Sequence, residues 1–243
     1  MAHQILGTRV DSTSYADASR LILNWARNGE SRYVCIANVH MVMEAYDSKP
    51  FRQQVNAADL VTPDGMPLVW SLRRAGHRMQ GRVYGPDLML KVIDQAAIKK
   101  VPIGLLGGRP EILNELATRL GRWFPDLDVR YRFSPPFREP TPDEDQRMVN
   151  DINASGALIL FVGLGCPRQE IWMAEHAGRV RSVMVGVGAA FDFHAGAVRQ
   201  APRWMQRIGL EWVFRLTQEP RRLWRRYLYH NPRFLWAQLV GSK

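Results

Sequence analysis

The sequence contains no run of about 18 apolar residues, the least that carries a helix across a bilayer. Met1 to Asp11 also lacks the basic stretch and apolar run of a secretory leader. These two absences lead to the expectation of a cytoplasmic protein, at most peripheral to a membrane. Cysteine is scarce. Cys35 and Cys166 are the only two, far apart, which excludes a disulfide framework and fits no metal-ligand spacing. Cys166 sits in a glycine-rich loop ahead of a helix, where a thiol can be activated, yet it reads first as an ordinary small residue. No cluster of His, Cys and Asp has convincing ligand spacing, so neither a metal nor a cofactor is expected. Asp126-Leu127-Asp128 has the D-x-D form of metal-dependent sugar transferases, but it opens a strand, the wrong end of a parallel sheet for a ligand. No nucleophile elbow, internal repeat or low-complexity stretch is present.

Acidic residues are nearly missing from the C-terminus. Between Arg199 and Lys243, nine Arg and one Lys face only Glu211 and Glu219, so +8 of the formal +10 lies there. The same segment carries Trp204, Trp212, Phe214, Trp224, Tyr227, Tyr229, Phe234 and Trp236. Arginine with aromatics suits anionic surfaces, diphosphates or nucleic acid. On a helix beginning near Pro220, Leu223, Trp224, Tyr227 and Leu228 form an apolar stripe, with Arg222, Arg225 and Arg226 on or beside the other face.

The rest of the chain is rich enough in apolar residues for one sizeable core: 46% of 243 residues are hydrophobic. Short apolar runs at Tyr33–Ala37, Asp59–Val61, Ile103–Leu106, Val129–Phe133, Leu158–Val162 and Val183–Val187 alternate with helical patterns. The helices are read at Ser14–Asn28, Pro110–Trp123, Asp143–Ile152 and Pro167–His176. Such alternation predicts an α/β fold: a Rossmann-like, mostly parallel sheet with helices on both faces, plus a small basic helical appendage. The composition shift after Gly196 divides the chain into a catalytic domain, 1–198, and an appendage, 199–243. Ser134–Pro142, with four prolines, is the expected functional loop.

In parallel sheets ligands bind beyond the carboxyl ends of strands, so polar residues placed directly after apolar runs are the candidates. Thr62-Pro63-Asp64-Gly65 puts a carboxylate at one such end, or makes a Pro-Asp-Gly turn with a structural Asp. Asn38 and His40 come after another strand, where Asn38 is equally a helix cap. Gly163-Leu164-Gly165-Cys166-Pro167-Arg168-Gln169-Glu170 joins a glycine loop to a helix N-terminus, which favours phosphate. Gly188-Ala189-Ala190-Phe191-Asp192-Phe193-His194-Ala195-Gly196 offers a second close backbone approach or a tight junction.

In this order, these motifs resemble the WecG/TagA/CpsF family of bacterial glycosyltransferases. Arg82-Val83-Tyr84-Gly85-Pro86-Asp87, Leu105-Leu106-Gly107-Gly108, Ala201-Pro202, Gly209-Leu210-Glu211-Trp212 and Glu219-Pro220 add to the likeness, which spans roughly residues 5 to 230. The resemblance implies inverting, metal-independent transfer of a sugar from a UDP-sugar donor to a polyprenyl-diphosphate-linked acceptor in cell-envelope or exopolysaccharide synthesis. It implies a basic appendage that meets an anionic membrane surface on the inner face of the cytoplasmic membrane. Asp64 would be the general base, with Asn38, Arg82 and Gln169 in its pocket. Gly163, Gly165, Gly188 and Asp192 would bind substrate, and Arg215, Arg222 and Arg225 the diphosphate. Members using N-acetylmannosamine donors often carry Thr two positions before the Asn. Here Ile36 stands there, and the Asn38–Ala45 run is more similar to the exopolysaccharide branch, with its xanthan-type glucosyltransferases.

Two other classes stay open on residues alone. A nucleic-acid-binding protein would use the Arg/aromatic tail but leave the carboxylate and glycine loops without a purpose. A nicotinamide-dependent oxidoreductase would use the Gly163–Gly165 loop, yet the full fingerprint is missing. The favoured reading is therefore the glycosyltransferase, with no nucleic acid among its partners. A homo-oligomer is an open expectation.

Overall fold

A computed structural model describes residues 2–240; Lys243, counted with the basic tail, lies outside them. Among the described residues eight strands form two sheets: β1 (Ala2–Ile5), β2 (Thr8–Asp11), β3 (Arg32–Ala37), β4 (Leu60–Pro63), β5 (Ile103–Gly107), β6 (Val129–Phe133), β7 (Ile159–Gly163) and β8 (Val183–Gly186). The six predicted strands all appear, all parallel, in the order β4-β3-β8-β7-β5-β6. The hairpin β1-β2 is not apparent in the sequence pattern. It turns at Leu6 and Gly7, both in the left-handed region. Its Asp11 carboxylate accepts the Val61 N–H at 2.8 Å, so the hairpin satisfies a donor on edge strand β4.

Period-two alternation sends successive side chains to opposite layers. From β3, Val34 and Ile36 enter one core while Tyr33, Cys35 and Ala37 enter the other. In β7, Ile159 and Phe161 oppose Leu160 and Val162 in the same way. The first layer is closed by helices Tyr15–Arg27, Gly85–Ile98 and Pro110–Trp123, the second by Val39–Asp47, Lys49–Asn56, Pro142–Ser155 and Arg168–His176. Each such fully buried side chain contributes about 1.5–3 kcal/mol, which fixes the sheet register and so the positions of the loops at the strand ends.

The C-terminal segment runs through helices Arg203–Arg207, Glu211–Gln218 and Pro220–Trp224, a π-helical turn Arg225–Tyr229, and helix His230–Val240. The single apolar stripe expected there is broken. Leu223 is buried, but Trp224 and Leu228 are exposed; the π turn that starts at Arg225 adds a residue to the helical repeat and rotates Leu228 away from the stripe. Phe234 instead enters the second core beside Val39 and Met41. Arg233 pairs bidentately with Asp47 at 2.7 and 2.8 Å, and Ser71 donates to Gln238 at 3.0 Å. The segment thus lies against the body of the protein. Among the described residues no helix is long and apolar enough to cross a membrane.

Candidate active site

The ends of β3, β4, β5, β7 and β8 and the C-terminal segment enclose a cavity of about 800 Å³. Asn38, Asp64, Arg82, Gln169, Gly163, Gly165, Gly188, Asp192, Arg215 and Arg222 all line it. Arg225 does not. It is exposed, and Arg226 lines the cavity instead. Pro135, Pro136 and Phe137, from the proline-rich loop, form part of the wall.

Asp64 comes directly after β4, and its N–H donates to the Ala37 carbonyl at 2.8 Å, which ties it to the end of β3. Its carboxylate accepts from Arg82 at 2.7 Å. Arg82 also reaches the Asp64 backbone carbonyl and, at 2.6 Å, the carboxylate of Glu211 from the C-terminal segment. Its guanidinium stacks 4.1 Å over the Tyr84 ring, and the Tyr84 hydroxyl donates to Glu211 at 3.0 Å. Burial raises the Asp64 carboxyl above the ordinary carboxylate range; Arg82 opposes that rise and the Glu211 charge adds to it. Arg82 stays cationic, since the two carboxylates outweigh the cost of its burial.

Asn38 caps helix Val39–Asp47, its Oδ1 accepting the Met41 N–H at 3.2 Å. Ile36, near the end of β3, also lines the cavity. The glycines divide by cause. At Gly163 a Cβ would stand 2.7 Å from Phe191, so packing beneath the loop excludes a side chain there. Gly165 has φ +80° with open space around it, so backbone conformation is its constraint. Gln169 donates to the wholly buried Glu170 at 2.6 Å, and burial lifts the Glu170 carboxyl to about 7. Burial and the Glu170 charge push the Cys166 thiol well above its ordinary range, which disfavours the thiolate.

Arginines dominate the remaining wall. Arg215 is 9% exposed, lies over the Phe193 ring at 5.2 Å and is 3.8 Å from Glu219. Arg222 donates to Glu219 at 2.8 Å. The Nε–H groups of Arg215 and Arg226 are buried without a hydrogen-bond partner. Burial raises the Asp192 carboxyl, against the pull of Arg222, Arg109 and Arg215.

The family model of the WecG/TagA/CpsF glycosyl transferases matches residues 3–243. The chain belongs to this glycosyltransferase family. A relative from Bacillus spizizenii, named N-acetylglucosaminyldiphosphoundecaprenol N-acetyl-beta-D-mannosaminyltransferase, is 31% identical over 236 residues, covering 96% of this chain and 89% of its own. The protein is therefore an enzyme, a glycosyltransferase, and three arginines of its C-terminal segment, Arg215, Arg222 and Arg226, line the cavity. Tyr84 and Arg226 also line the cavity; the sequence names them within a motif and on a helix face but assigns neither to the site. Glu211 has a signal, as one of only two acidic residues in a basic segment.

Proposed function

We propose that this glycosyltransferase moves a sugar from a UDP-sugar to a polyprenyl-diphosphate-linked acceptor, with inversion and without a metal in the chemical step. The observation that carries this reading is the pair of unpartnered, buried arginine donors, Arg215 and Arg226, lining the same cavity as Asp64. Buried N–H donors left unmade are costly, and a diphosphate offers them charge-assisted acceptors. Arg222 adds a third cation at the same wall. UDP is a leaving group that carries several negative charges, so these arginines and the glycine-loop backbone would stabilise it as the bond breaks. The relative from Bacillus spizizenii acts, by its name, on an undecaprenyl-diphosphate-linked N-acetylglucosamine, and this supports an acceptor of that class here.

Asp64 takes the acceptor hydroxyl proton in this mechanism as the oxygen attacks the anomeric carbon. A carboxylate is basic enough because the hydroxyl acidifies as the new bond forms. Arg82 favours the ionised carboxylate against burial, and Glu211 and Tyr84 hold Arg82. Ile36 presents an apolar surface where N-acetylmannosamine-specific members of the resembled family often have a hydroxyl, favouring a different donor sugar. The enzyme works at the inner face of the membrane through the exposed Trp224, Leu228, Tyr229, Leu235 and Trp236, with Arg225 beside them. Aromatics and arginines of this kind settle at the headgroup layer. The division into a catalytic domain, 1–198, and an appendage, 199–243, belongs to the same reading. Incubation with a panel of UDP-sugars and one short lipid-diphosphate acceptor, read by mass spectrometry, tests it. A lipid-linked product from one donor is expected, and no product from any donor would contradict it.

A further inference from the structure

His40 and Glu44 stand one turn apart on helix Val39–Asp47, and the C-terminal segment brings His230 against them. Glu44 Oε1 lies 3.6 Å from His40 Nδ1 and 3.5 Å from His230 Nε2, and the three ligand atoms lie within 4.8 Å of one another. These spacings are too long for hydrogen bonds. A tetrahedral zinc with bonds of about 2.1 Å separates its ligand atoms by about 3.4 Å, close to the two spacings from Glu44. His40 Nδ1 is buried without a hydrogen-bond partner, while the ring bonds the Cys166 backbone. A ligating histidine is oriented in this way, one nitrogen held by a backbone group and the other left to the metal. The His40 side chain is 15% exposed, that of His230 10% and that of Glu44 34%, which leaves one open side for a water as fourth ligand.

We propose that His40, Glu44 and His230 form a zinc-type site that pins the C-terminal segment to helix Val39–Asp47. Two imidazoles and one carboxylate are a zinc donor set. The site adds a third tie to those of Arg233 with Asp47 and Gln238 with Ser71. His40 also lines the cavity, but the proposed sugar transfer uses Asp64, Arg82, Glu211 and the cavity arginines. A chain expected from its sequence to hold no metal thus has one candidate site among the described residues, assembled only by the fold.

The test uses the full chain stripped with a chelator and then titrated with Co²⁺ and Zn²⁺. One equivalent of cobalt should bind with the visible absorption of a tetrahedral nitrogen/oxygen site and be displaced by zinc. Zinc should also slow tryptic cleavage at the arginines of the C-terminal segment. His230→Gln should weaken cobalt binding by at least about 100-fold, more than loss of a supporting group costs. Glu44→Gln, nearly isosteric and so safe for folding, should do the same, and His77→Gln should change nothing. Absence of a stoichiometric cobalt species in the wild type, or one that survives both Glu44→Gln and His230→Gln, overturns the proposal.

Discussion

Arg82 donates to Glu211 at 2.6 Å, across the junction between the sheet and the C-terminal segment. The same guanidinium holds Asp64 at 2.7 Å, so one side chain links the appendage to the proposed base. Glu211→Gln removes a charge-assisted bond worth about 1.5–3 kcal/mol and a like charge that raises the Asp64 carboxyl. Lower thermal stability is expected, together with an acid limb of the pH–rate profile displaced to lower pH. An acid limb that stays in place would disconnect Glu211 from Asp64.

Arg215 and Arg226 should contribute to donor binding and to departure of the diphosphate. Arg226→Ala is expected to weaken UDP binding and to lower kcat by about a hundredfold, the scale of losing one preorganised donor to a developing charge. Arg225→Ala, outside the cavity, should leave UDP affinity as it was. Isothermal titration with UDP alone separates the two.

Glu170 makes stability fall as pH rises. Its carboxyl titrates at about 7 in the folded protein against an ordinary 4.5, so the folded state holds the proton more tightly. The stabilisation is complete below pH about 4.5 and lost as pH climbs through about 7, roughly 3 kcal/mol in all at about 1.4 kcal/mol per unit. Glu170→Gln, which keeps an acceptor for Gln169, should lose this dependence. Melting curves of both proteins at pH 5 and pH 8 check it, and parallel behaviour of the two would contradict it.

Gly163→Ala places a methyl 2.7 Å from Phe191. Overpacking of this kind costs about 1–3 kcal/mol. Gly165→Ala meets no neighbour and should cost about 1–2 kcal/mol from its positive φ alone. Denaturant melts should therefore show both variants destabilised, and only the first should respond when Phe191 is made smaller, as in Phe191→Leu.

Membrane binding should depend on the outward aromatics and not on the cavity. A Trp224→Ser, Leu228→Ser, Trp236→Ser triple variant is expected to lose partitioning onto anionic liposomes while retaining UDP affinity. These three side chains are 54%, 56% and 70% exposed, so the substitutions leave the core intact. Truncation near Gln200 is a poorer test, because it also strips Phe234 from the core.

The parallel sheet is legible in the sequence because its strands are buried on both faces and read as continuous apolar runs. The β1-β2 hairpin is not, because its strands are four residues each and its turn carries a single glycine. Asp64, Asn38 and the glycine loops stand out as polar or small residues placed directly after those runs. An α-helical repeat puts Arg222, Arg225 and Arg226 on or beside one face, whereas the structure, with a π turn from Arg225, sends Arg226 to the cavity and leaves Arg225 outside it. The Arg82 bridge to Glu211 and the His40–Glu44–His230 group join distant parts of the chain, and no local pattern encodes such a contact.

The most direct test of Asp64 as general base is single-turnover transfer by Asp64→Asn with the competent donor and acceptor, measured beside UDP affinity. The Asn variant should keep its melting transition and bind UDP within about threefold. Its transfer rate should drop by about 10²–10⁴-fold, the range of a lost acid–base group. Transfer within about tenfold of the wild type, with binding unchanged, would show that Asp64 is not the base.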